Sequence, residues 1–468
     1  MEMRVMLQVW MLVPGTRARR VLLLLLLISL LLASQIVTHH ARPVSEVEVS
    51  EPPDPTVVEH QAGGEAEGAK TPAPSPTPNT DDWKASGKED PRNAILEGLS
   101  QLQTKELQKV QRFLDATNNP AAVPTTRIEH ALQTLKVSMM EEVSGRKYWS
   151  IMEAVHNARP LSSQPRPKTL KVVIATTWRS GSTFLEELLA SHSAVYNHYE
   201  PLLQFGLRQI RDGQDAVEAQ KIIHDLLSCR YSGHEEYMKT AQNIKEMISR
   251  NVQLWNTCSI KDWGDALCFN EVFLTGACEL FPWATMKIVR LRLKFLRPIL
   301  EDSKLNAHIV YLVRDPRGVI NSRTDTVNWC NTPDCSNPET LCSDMEADLT
   351  AALQLQEEFP GKIYILRYED MSLNPANKTR ELLDYIGLDF EPKMEEFLDS
   401  HTTKNLDKPW STSRESKTRV TYWVSRLSSI KLKAVQEACG PVMKRFGYLP
   451  ITSKKNITVD KILGPMAL

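Results

Sequence analysis

The chain has 468 residues, a formal net charge of -1 and 42% hydrophobic residues. This length is enough for one large catalytic domain with additional segments, and the ordinary apolar content is compatible with a buried core. The near-neutral charge argues against nucleic acid or an anionic membrane surface as a partner held by bulk electrostatics, so any anion site must be local.

The amino-terminal region has the features of a membrane anchor. Residues 21–37 form an apolar run without a charge, at the short end of what spans a bilayer, and three arginines precede it within four positions. The positive-inside rule then predicts a cytosolic tail at 1–20 and a lumenal remainder. The alternative is a signal peptide cleaved near Ala33, although its charged region would be unusually long. Both interpretations place the rest of the chain in the secretory pathway, and a type II protein of the Golgi membrane is expected.

Residues 38–167 are predicted to form a lumenal stem. Up to about residue 90 the stem is rich in Pro, Glu, Ala and Thr, which is typical of a disordered spacer. In residues 93–142 apolar residues recur at helical spacing. This segment is either a stem helix or coiled coil, which is compatible with a homodimer, or an amphipathic helix that packs on the catalytic domain.

Residues 168–450 alternate between predicted strands and helices. Continuous apolar runs, typical of buried parallel strands, occur at 170–176, 193–199, 308–313 and 362–368. Helical patterns lie between or after them, at 182–191, 216–228, 235–249, 344–358 and 376–386. This alternation predicts an α/β domain with a parallel sheet flanked by helices. Residues 451–468 are expected to form a carboxyl-terminal tail.

Eight cysteines all lie in the carboxyl-terminal two thirds of the chain. None has CxxC spacing, which argues against a zinc site, and no other metal-ligand spacing is found. An even number in one domain favours lumenal disulfides of unknown pairing, with buried reduced thiols as the alternative. Two glycosylation sequons, at Asn377 and Asn456, are compatible with a lumenal domain.

The loop after the first predicted strand has the composition of an anion-binding cradle. Its residues are Thr177, Trp178, Arg179, Ser180, Gly181, Ser182 and Thr183. In a strand–loop–helix unit, the loop N–H groups and the helix N-terminus both face a bound anion. Gly181 lets the backbone approach the anion closely, and Arg179 adds a planar, positively charged guanidinium group. The loop lacks the lysine of a Walker A sequence, which argues against a kinase or NTPase. The alternative is a capped turn with an incidental arginine.

A second strand–helix junction in residues 308–323 has the same character. A buried strand is predicted to end at Arg314, Asp315 is suited to cap the helix that follows, and Pro316 suits its first turn. Ser322 lies eight residues after Arg314, so the helix can return it beside Arg314, where the two can hold one phosphate. The alternative leaves the arginines of this junction on the surface.

Together these segments resemble the Gal/GlcNAc/GalNAc 6-O-sulfotransferase family of Golgi carbohydrate sulfotransferases. The similarity continues at YEPL (199–202), in MKIVRLRLKFLRPILED (286–302), in LRYED (366–370) and in ACGPVMKRFGY (438–448), and it covers roughly residues 170–450. The resemblance implies that Thr177 to Thr183 bind the 5′-phosphosulfate of the donor PAPS, with Arg179 near the bridging oxygen. It also implies that Arg314 and Ser322 hold the 3′-phosphate. No metal is expected.

A general base must take the proton of the acceptor hydroxyl, and Glu200 is the best candidate. It follows the second predicted strand and matches a glutamate that related sulfotransferases use as base. His198 is the rival, since strand alternation puts it on the same face. The alternative role for Glu200 is a structural anchor that pairs with Arg179 or Arg290.

The acceptor itself is not specified by the sequence. The resemblance implies that the acceptor is the 6-hydroxyl of GlcNAc, Gal or GalNAc, and both keratan and chondroitin chains are compatible with it. The loop with Trp178 is more similar to the GlcNAc-directed members of the family. Lys287, Arg290 and Arg292 form a basic cluster that either meets an acidic glycan or is a solvated helix face. The alternative function is a lumenal nucleotide-binding or lectin-like module without transfer activity, which would not need two phosphate-like loops.

Overall fold

The computed structural model describes residues 123–157, 169–259, 264–403, 412–413 and 415–468. At its centre is a sheet of five parallel strands in the order β2-β3-β1-β4-β5. The strands are β1 (Leu170–Ala175), β2 (Val195–His198), β3 (Trp283–Ile288), β4 (Ala307–Val313) and β5 (Ile363–Arg367). The predicted class, a parallel sheet flanked by helices, is confirmed.

Among the described residues, two helices precede the first strand along the chain, and the others lie between or after the strands. Those that precede or follow the first two strands are α1 (Thr125–Glu142), α2 (Trp149–Asn157), α3 (Ser182–Ala190), α4 (Gly213–Leu227), α5 (Glu235–Asn243), α6 (Glu246–Ser249), α7 (Val252–Cys258) and α8 (Glu271–Glu279). Those that follow β3 are α9 (Arg297–Glu301), α10 (Pro316–Asp325), α11 (Pro333–Ser336), α12 (Pro338–Glu358), α13 (Tyr368–Leu373), α14 (Pro375–Ile386), α15 (Pro392–Thr402), α16 (Tyr422–Arg426) and α17 (Ser429–Arg445). All five predicted helices are present, with 235–249 divided into α5 and α6.

Strand β3 was missed by the sequence analysis, although it lies between β1 and β2. Its segment, WATMKI, contains Thr285 and Lys287, which interrupt the apolar run expected of a buried strand. Every residue of β3 is nevertheless buried. Two carboxylates neutralise Lys287, so this central strand tolerates a lysine that a pattern of hydrophobicity rejects.

Residues 123–157, which fall within the predicted stem, pack on the domain. Helix α1 packs on α7 and α8 through a buried stripe that includes Leu135 and Met139, and Met152 of α2 joins the same core. The alternative of an amphipathic helix packed on the domain therefore holds for 125–142. Residues 93–122 of the predicted stem segment lie outside the described residues.

The predicted tail at 451–468 also packs on the domain. Gly464 donates from its N–H to the Gly447 carbonyl at 2.8 Å, and Arg367 donates from Nη1 to the Gly464 carbonyl at 2.7 Å. Ile451 and Ile462 are buried. The tail is therefore part of the core of the domain rather than a separate extension.

All eight cysteines are paired. The disulfides are Cys229–Cys278, Cys258–Cys268, Cys330–Cys335 and Cys342–Cys439. The expectation of disulfides is confirmed, and the alternative of reduced thiols does not hold. Both sequon asparagines, Asn377 at the start of α14 and Asn456, are exposed.

The predicted anchor at 21–37 lies outside the described residues. Within the part of the chain that the structure describes, no helix is both long and apolar enough to cross a bilayer. The same residues contain no cluster of His, Cys, Asp or Glu placed to hold a metal ion.

Candidate active site

The loop between β1 and α3 lies at the carboxyl end of the sheet, where parallel α/β sheets bind ligands. Arg179 and Gly181 both have positive φ, 74° and 87°, and these two residues turn the chain into α3. A Cβ on Gly181 would come within 2.5 Å of the Tyr368 ring, so only glycine fits there. Arg179, Gly181, Ser182 and Thr183 line a cavity of about 220 Å³.

Three of the predicted loop residues hold the loop rather than line the cavity. The side chains of Thr177, Trp178 and Ser180 are buried. Arg323 donates from Nη2 to Thr177 Oγ1 at 2.6 Å and to the Trp178 carbonyl at 3.2 Å. The cavity-facing side chains of the predicted set are therefore those of Arg179, Ser182 and Thr183.

Arg323 was missed by the sequence analysis, and it connects the loop to a disulfide. Its Nη1 donates to the Cys335 carbonyl at 2.8 Å, and Trp178 donates from Nε1 to Cys335 Sγ at 3.3 Å. Cys335 is bonded to Cys330. Arg323 directly follows Ser322 in α10, but nothing in its local sequence distinguishes it from an arginine on a helix surface.

The second predicted junction meets the first loop. Arg179 donates from Nε to Ser322 Oγ at 3.1 Å, and Arg314 donates from Nη1 to the Arg179 carbonyl at 2.8 Å. The Arg314 guanidinium also stacks 4.5 Å from the Tyr368 ring centroid. Arg179, Arg314 and Ser322 all line the cavity. Two separate strand ends thus bring two guanidinium groups and a hydroxyl together, which is a donor set suited to phosphate or sulfate.

Asp315 and Arg317 have structural positions. Asp315 caps α10, because its Oδ1 accepts from the Arg317 N–H at 2.9 Å. Arg317 is fully buried, pairs with Asp315 at 2.8 Å and stacks on Trp423. The predicted cap is therefore present, and Arg317 lies in the core rather than on the surface.

Glu200 lies in a buried cluster of charges beside the loop. Its Oε1 is 3.1 Å from Lys287 Nζ, and its Oε2 accepts from Arg290 Nη1 at 2.7 Å. Burial raises its pKa, but Lys287 and Arg290 together lower the pKa of Glu200 to about 2. Glu200 is therefore ionised at neutral pH and is engaged at both oxygens.

Lys287 joins this cluster to the loop. Its ammonium donates to Thr183 Oγ1 at 3.1 Å, lies 3.1 Å from Glu186 Oε2 and sits 3.8 Å from the Tyr199 ring centroid. Burial lowers its pKa, but Glu186 and Glu200 outweigh burial and raise the pKa of Lys287 above its usual range. The signal in the sequence was a single lysine within the apolar segment 283–288.

His198, the other candidate base, contacts different residues from those of the Glu200 cluster. It is buried against Tyr196 and Tyr231, and burial and then Lys171 lower its pKa to about 3. Neither His198 nor Glu200 is among the residues that line the cavity, but the low pKa of His198 makes its buried imidazole a poor proton acceptor at neutral pH. Of the two candidates, only Glu200 adjoins the loop.

The basic cluster of Lys287, Arg290 and Arg292 is neither a solvated helix face nor an open surface for an acidic glycan. All three side chains are buried, at or just after β3. Arg292 pairs with Asp348 at 2.9 Å. The cavity-facing cation on this side is Arg250, at the end of α6, whose guanidinium lies 4.4 Å from the Tyr199 ring centroid.

Comparisons of sequence and of structure identify known proteins that are similar to this chain. A family model described as the sulfotransferase family matches residues 171–392. The chain is therefore similar to the sulfotransferase family over this region. It is 26% identical to carbohydrate sulfotransferase 5 of Homo sapiens over 76% of this chain and 97% of the relative. It is also 26% identical to carbohydrate sulfotransferase 1 of Danio rerio, over 63% of this chain and 82% of that relative. The resemblance to carbohydrate sulfotransferases is thereby confirmed.

Among solved structures, the chain is similar to the sulfotransferase domain from the Synechococcus PCC 7002 olefin synthase. The TM-score is 0.33 at 18% identity, over 59% of this chain and 97% of that domain. Retinol dehydratase in a complex with retinol and PAP gives a TM-score of 0.32 at 15% identity, over 64% of this chain and 86% of that chain.

Proposed function

We propose that this protein transfers a sulfuryl group from PAPS to a sugar hydroxyl, the 6-hydroxyl of GlcNAc, Gal or GalNAc in a glycan or glycosaminoglycan. The observation that carries the proposal is the meeting of Arg179, Arg314 and Ser322 in one cavity at the carboxyl end of the sheet. The position of the hydroxyl rests on the resemblance in sequence alone.

The donor set fits a nucleotide with phosphate groups at two positions. Arg314 contacts the Arg179 carbonyl and the Tyr368 ring, and it forms no ion pair with a carboxylate among the described residues, although burial raises the pKa of Glu369 and the charge of Arg314 lowers it. It is partly exposed and lines the cavity, so its charge can meet an anion there. Arg314 and Ser322 would hold the 3′-phosphate. Arg179, Thr183 and the N–H groups at the start of α3 would hold the 5′ side. When bound, PAPS supplies the activated sulfuryl group.

Glu200 is the proposed base, with Lys287 as its link to the donor loop. The carboxylate of Glu200 is ionised at neutral pH, and its side chain is 17% exposed. Its two cations make it a weak base, so accepting a proton requires that one ion pair lengthen as the hydroxyl approaches. Lys287 contacts both Glu200 and Thr183, so its charge can also stabilise negative charge that develops at the loop.

The compartment is part of the same proposal. The apolar run at 21–37 supports a single-pass type II anchor, with the catalytic domain in the Golgi lumen. The four disulfides support an oxidising compartment.

The test is transfer of radiolabelled sulfate from PAPS by the full chain to terminal GlcNAc, galactose, keratan and chondroitin. Arg179→Ala is expected to lower transfer by about 100-fold or more, since it removes a preorganised charge at the reacting group. Arg380→Ala, an exposed arginine on α14 outside the cavity, is the matched control. Binding of 3′,5′-ADP without transfer to any acceptor would leave only a nucleotide-binding module, and absence of both would overturn the proposal.

The role of Glu200 has a separate test. Glu200→Gln keeps the size of the side chain and removes the charge, so kcat is expected to fall by at least about 100-fold with little change in the affinity for 3′,5′-ADP. A variant with unchanged kcat would show that Glu200 is only an anchor for Arg290 and Lys287.

A further inference from the structure

A second cavity lies at the amino end of the sheet, opposite the candidate active site. It has a volume of about 920 Å³ and is lined by residues at the start of β1 and just before β3 and β4, including Thr169, Phe281 and Asn306. Six residues separate Lys171 at this end from Thr177 at the other. At the rise of a β-strand this is about 20 Å, so the two cavities are separate.

One part of the wall of this cavity is apolar. It comprises Val155, Leu227, Leu280, Phe281, Leu305 and the Cys229–Cys278 disulfide. Polar and charged side chains form the rest of the lining, among them His156, His224 and Ser228. A volume within roughly 300–1,000 Å³ and a wall that offers both apolar surface and polar groups are usual properties of a site for a small organic ligand.

Lys171 projects its charge into this apolar setting. The residue is 5% exposed and lines the cavity, and no hydrogen bond or ion pair joins its ammonium to any of the described residues. Of the other charges at this cavity, Arg230 pairs with Asp225, and His224 pairs with Asp302 at 2.9 Å. Glu279 and Lys304 are exposed, and no ion pair joins Glu279 to Lys171. An unpaired buried ammonium is costly, because it loses hydration without gaining a counter-charge.

We propose that this cavity binds an amphipathic monoanion, a carboxylate or sulfonate-like head on an apolar body, with the head at Lys171 Nζ. The anion would supply the counter-charge that the described residues do not provide, and the apolar part of the wall would cover the body. The proposal concerns a different end of the sheet and does not depend on the proposed transfer activity.

The proposal implies a direction for the effect of pH. Burial lowers the pKa of the free Lys171 to about 8. Only the ammonium attracts an anion, so binding is expected to be strongest below pH 8 and to weaken by up to about tenfold per pH unit above it. The titratable and charged groups around the cavity and Lys171 are His156, His198, His224, Arg230, Glu279, Asp302 and Lys304. A window from pH 7 to 9.5 lies above the usual range of the histidines and carboxylates.

The experiment is calorimetric titration of the full chain with three probes, with protein-free detergent buffer as the blank. The probes are 4-phenylbutyrate, 3-phenylpropanesulfonate and the uncharged 4-phenylbutanol. For the wild type at pH 7, at least one anion is expected to bind about tenfold or more tightly than the alcohol, since a hydrogen bond to a charged group favours it. The two anions distinguish carboxylate from sulfonate heads.

Two lysine variants locate the effect. Lys171→Met is expected to remove the preference for the anion while binding of the alcohol remains. Lys304→Met, at the exposed rim of the same cavity, is the matched control and should keep the preference. Unchanged far-ultraviolet circular dichroism spectra of both variants would show that the fold is intact.

Three results would overturn the proposal. They are equal binding of anion and alcohol by the wild type, a preference that persists in Lys171→Met, and affinity for the anion that does not fall between pH 7 and 9.5. The pH series needs no variant, so it decides the matter even if Lys171→Met does not fold.

Discussion

Two buried lysines lie on neighbouring parallel strands and have opposite electrostatic states. Lys171 on β1 lies beside Ala284 of β3, and Lys287 on β3 lies beside Ile174 of β1. Burial alone lowers the pKa of Lys171 to about 8, whereas Glu186 and Glu200 raise the pKa of Lys287 above its usual range despite its burial. Burial in the same sheet therefore does not decide the charge of a lysine. The charge depends on whether carboxylates lie in contact with the ammonium group of the lysine.

The largest expected effect follows from breaking the ion pairs at the carboxyl end. Lys287→Met leaves Glu186 and Glu200 buried without their shared cation, so the free energy of unfolding is expected to fall by roughly 3–5 kcal/mol. Chemical denaturation at pH 7 measures it. A loss below 1 kcal/mol would mean that Lys287 contributes no more than a surface pair does.

The same substitution at the amino end should act in the opposite direction. In Lys171→Met an apolar side chain replaces a buried ammonium that has no ion pair among the described residues, and the free energy of unfolding at pH 7 is expected to rise by up to roughly 3 kcal/mol. Denaturation of this variant in parallel with Lys287→Met gives the comparison directly. A destabilised Lys171→Met would mean that Lys171 has a stabilising contact in the protein.

The wild type should also show this difference as a function of pH. Because the folded-state pKa of Lys171 is about 8 against 10.5 in the unfolded chain, the unfolded state binds more protons between these values. Stability from this group therefore rises with pH across that window, and Lys171→Met should lack the rise. A difference curve of wild type minus variant that is flat from pH 8 to 10.5 would contradict the assignment.

A smaller effect is expected at Arg323, because its guanidinium forms hydrogen bonds to neutral groups that hold the loop. A lysine in Arg323→Lys cannot make all the hydrogen bonds by which the guanidinium contacts Thr177, Trp178 and Cys335. The KM for PAPS is therefore expected to rise about 10–30-fold, with a smaller change in kcat. Arg380→Lys is the control. A fall in kcat without a change in KM would mean that Arg323 is not a positioning residue for donor binding.

Much of the site could be predicted from local pattern. The strand–loop–helix unit around Gly181 is continuous in sequence, and so is the junction that contains Arg314 and Ser322. The carboxyl ends of parallel strands share one edge of the sheet, so recognising both units as strand–helix junctions was enough to expect them together. The structure brings Arg179, Arg314 and Ser322 together there.

Other features could not be predicted because their contacts come from distant parts of the chain. Helix α1 looks equally suited to a coiled coil until α7 and α8 are seen to cover its apolar stripe. Arg323 looks like a surface arginine until the loop is folded against it. The pairing of the cysteines was likewise open, since spacing alone does not bring Cys342 to Cys439.

The sequence by itself determined the α/β class, the strand–loop–helix unit around Gly181 and the resemblance to carbohydrate sulfotransferases, because each depends on residues that are neighbours along the chain. Only the tertiary structure decided which buried charges are paired. Lys287, Glu186 and Glu200 come from three separate segments and form ion pairs, whereas Lys171 forms no ion pair with any of the residues that the structure describes. The interaction of two charges depends on their distance and on the water excluded around them, and neither quantity is contained in the order of the residues.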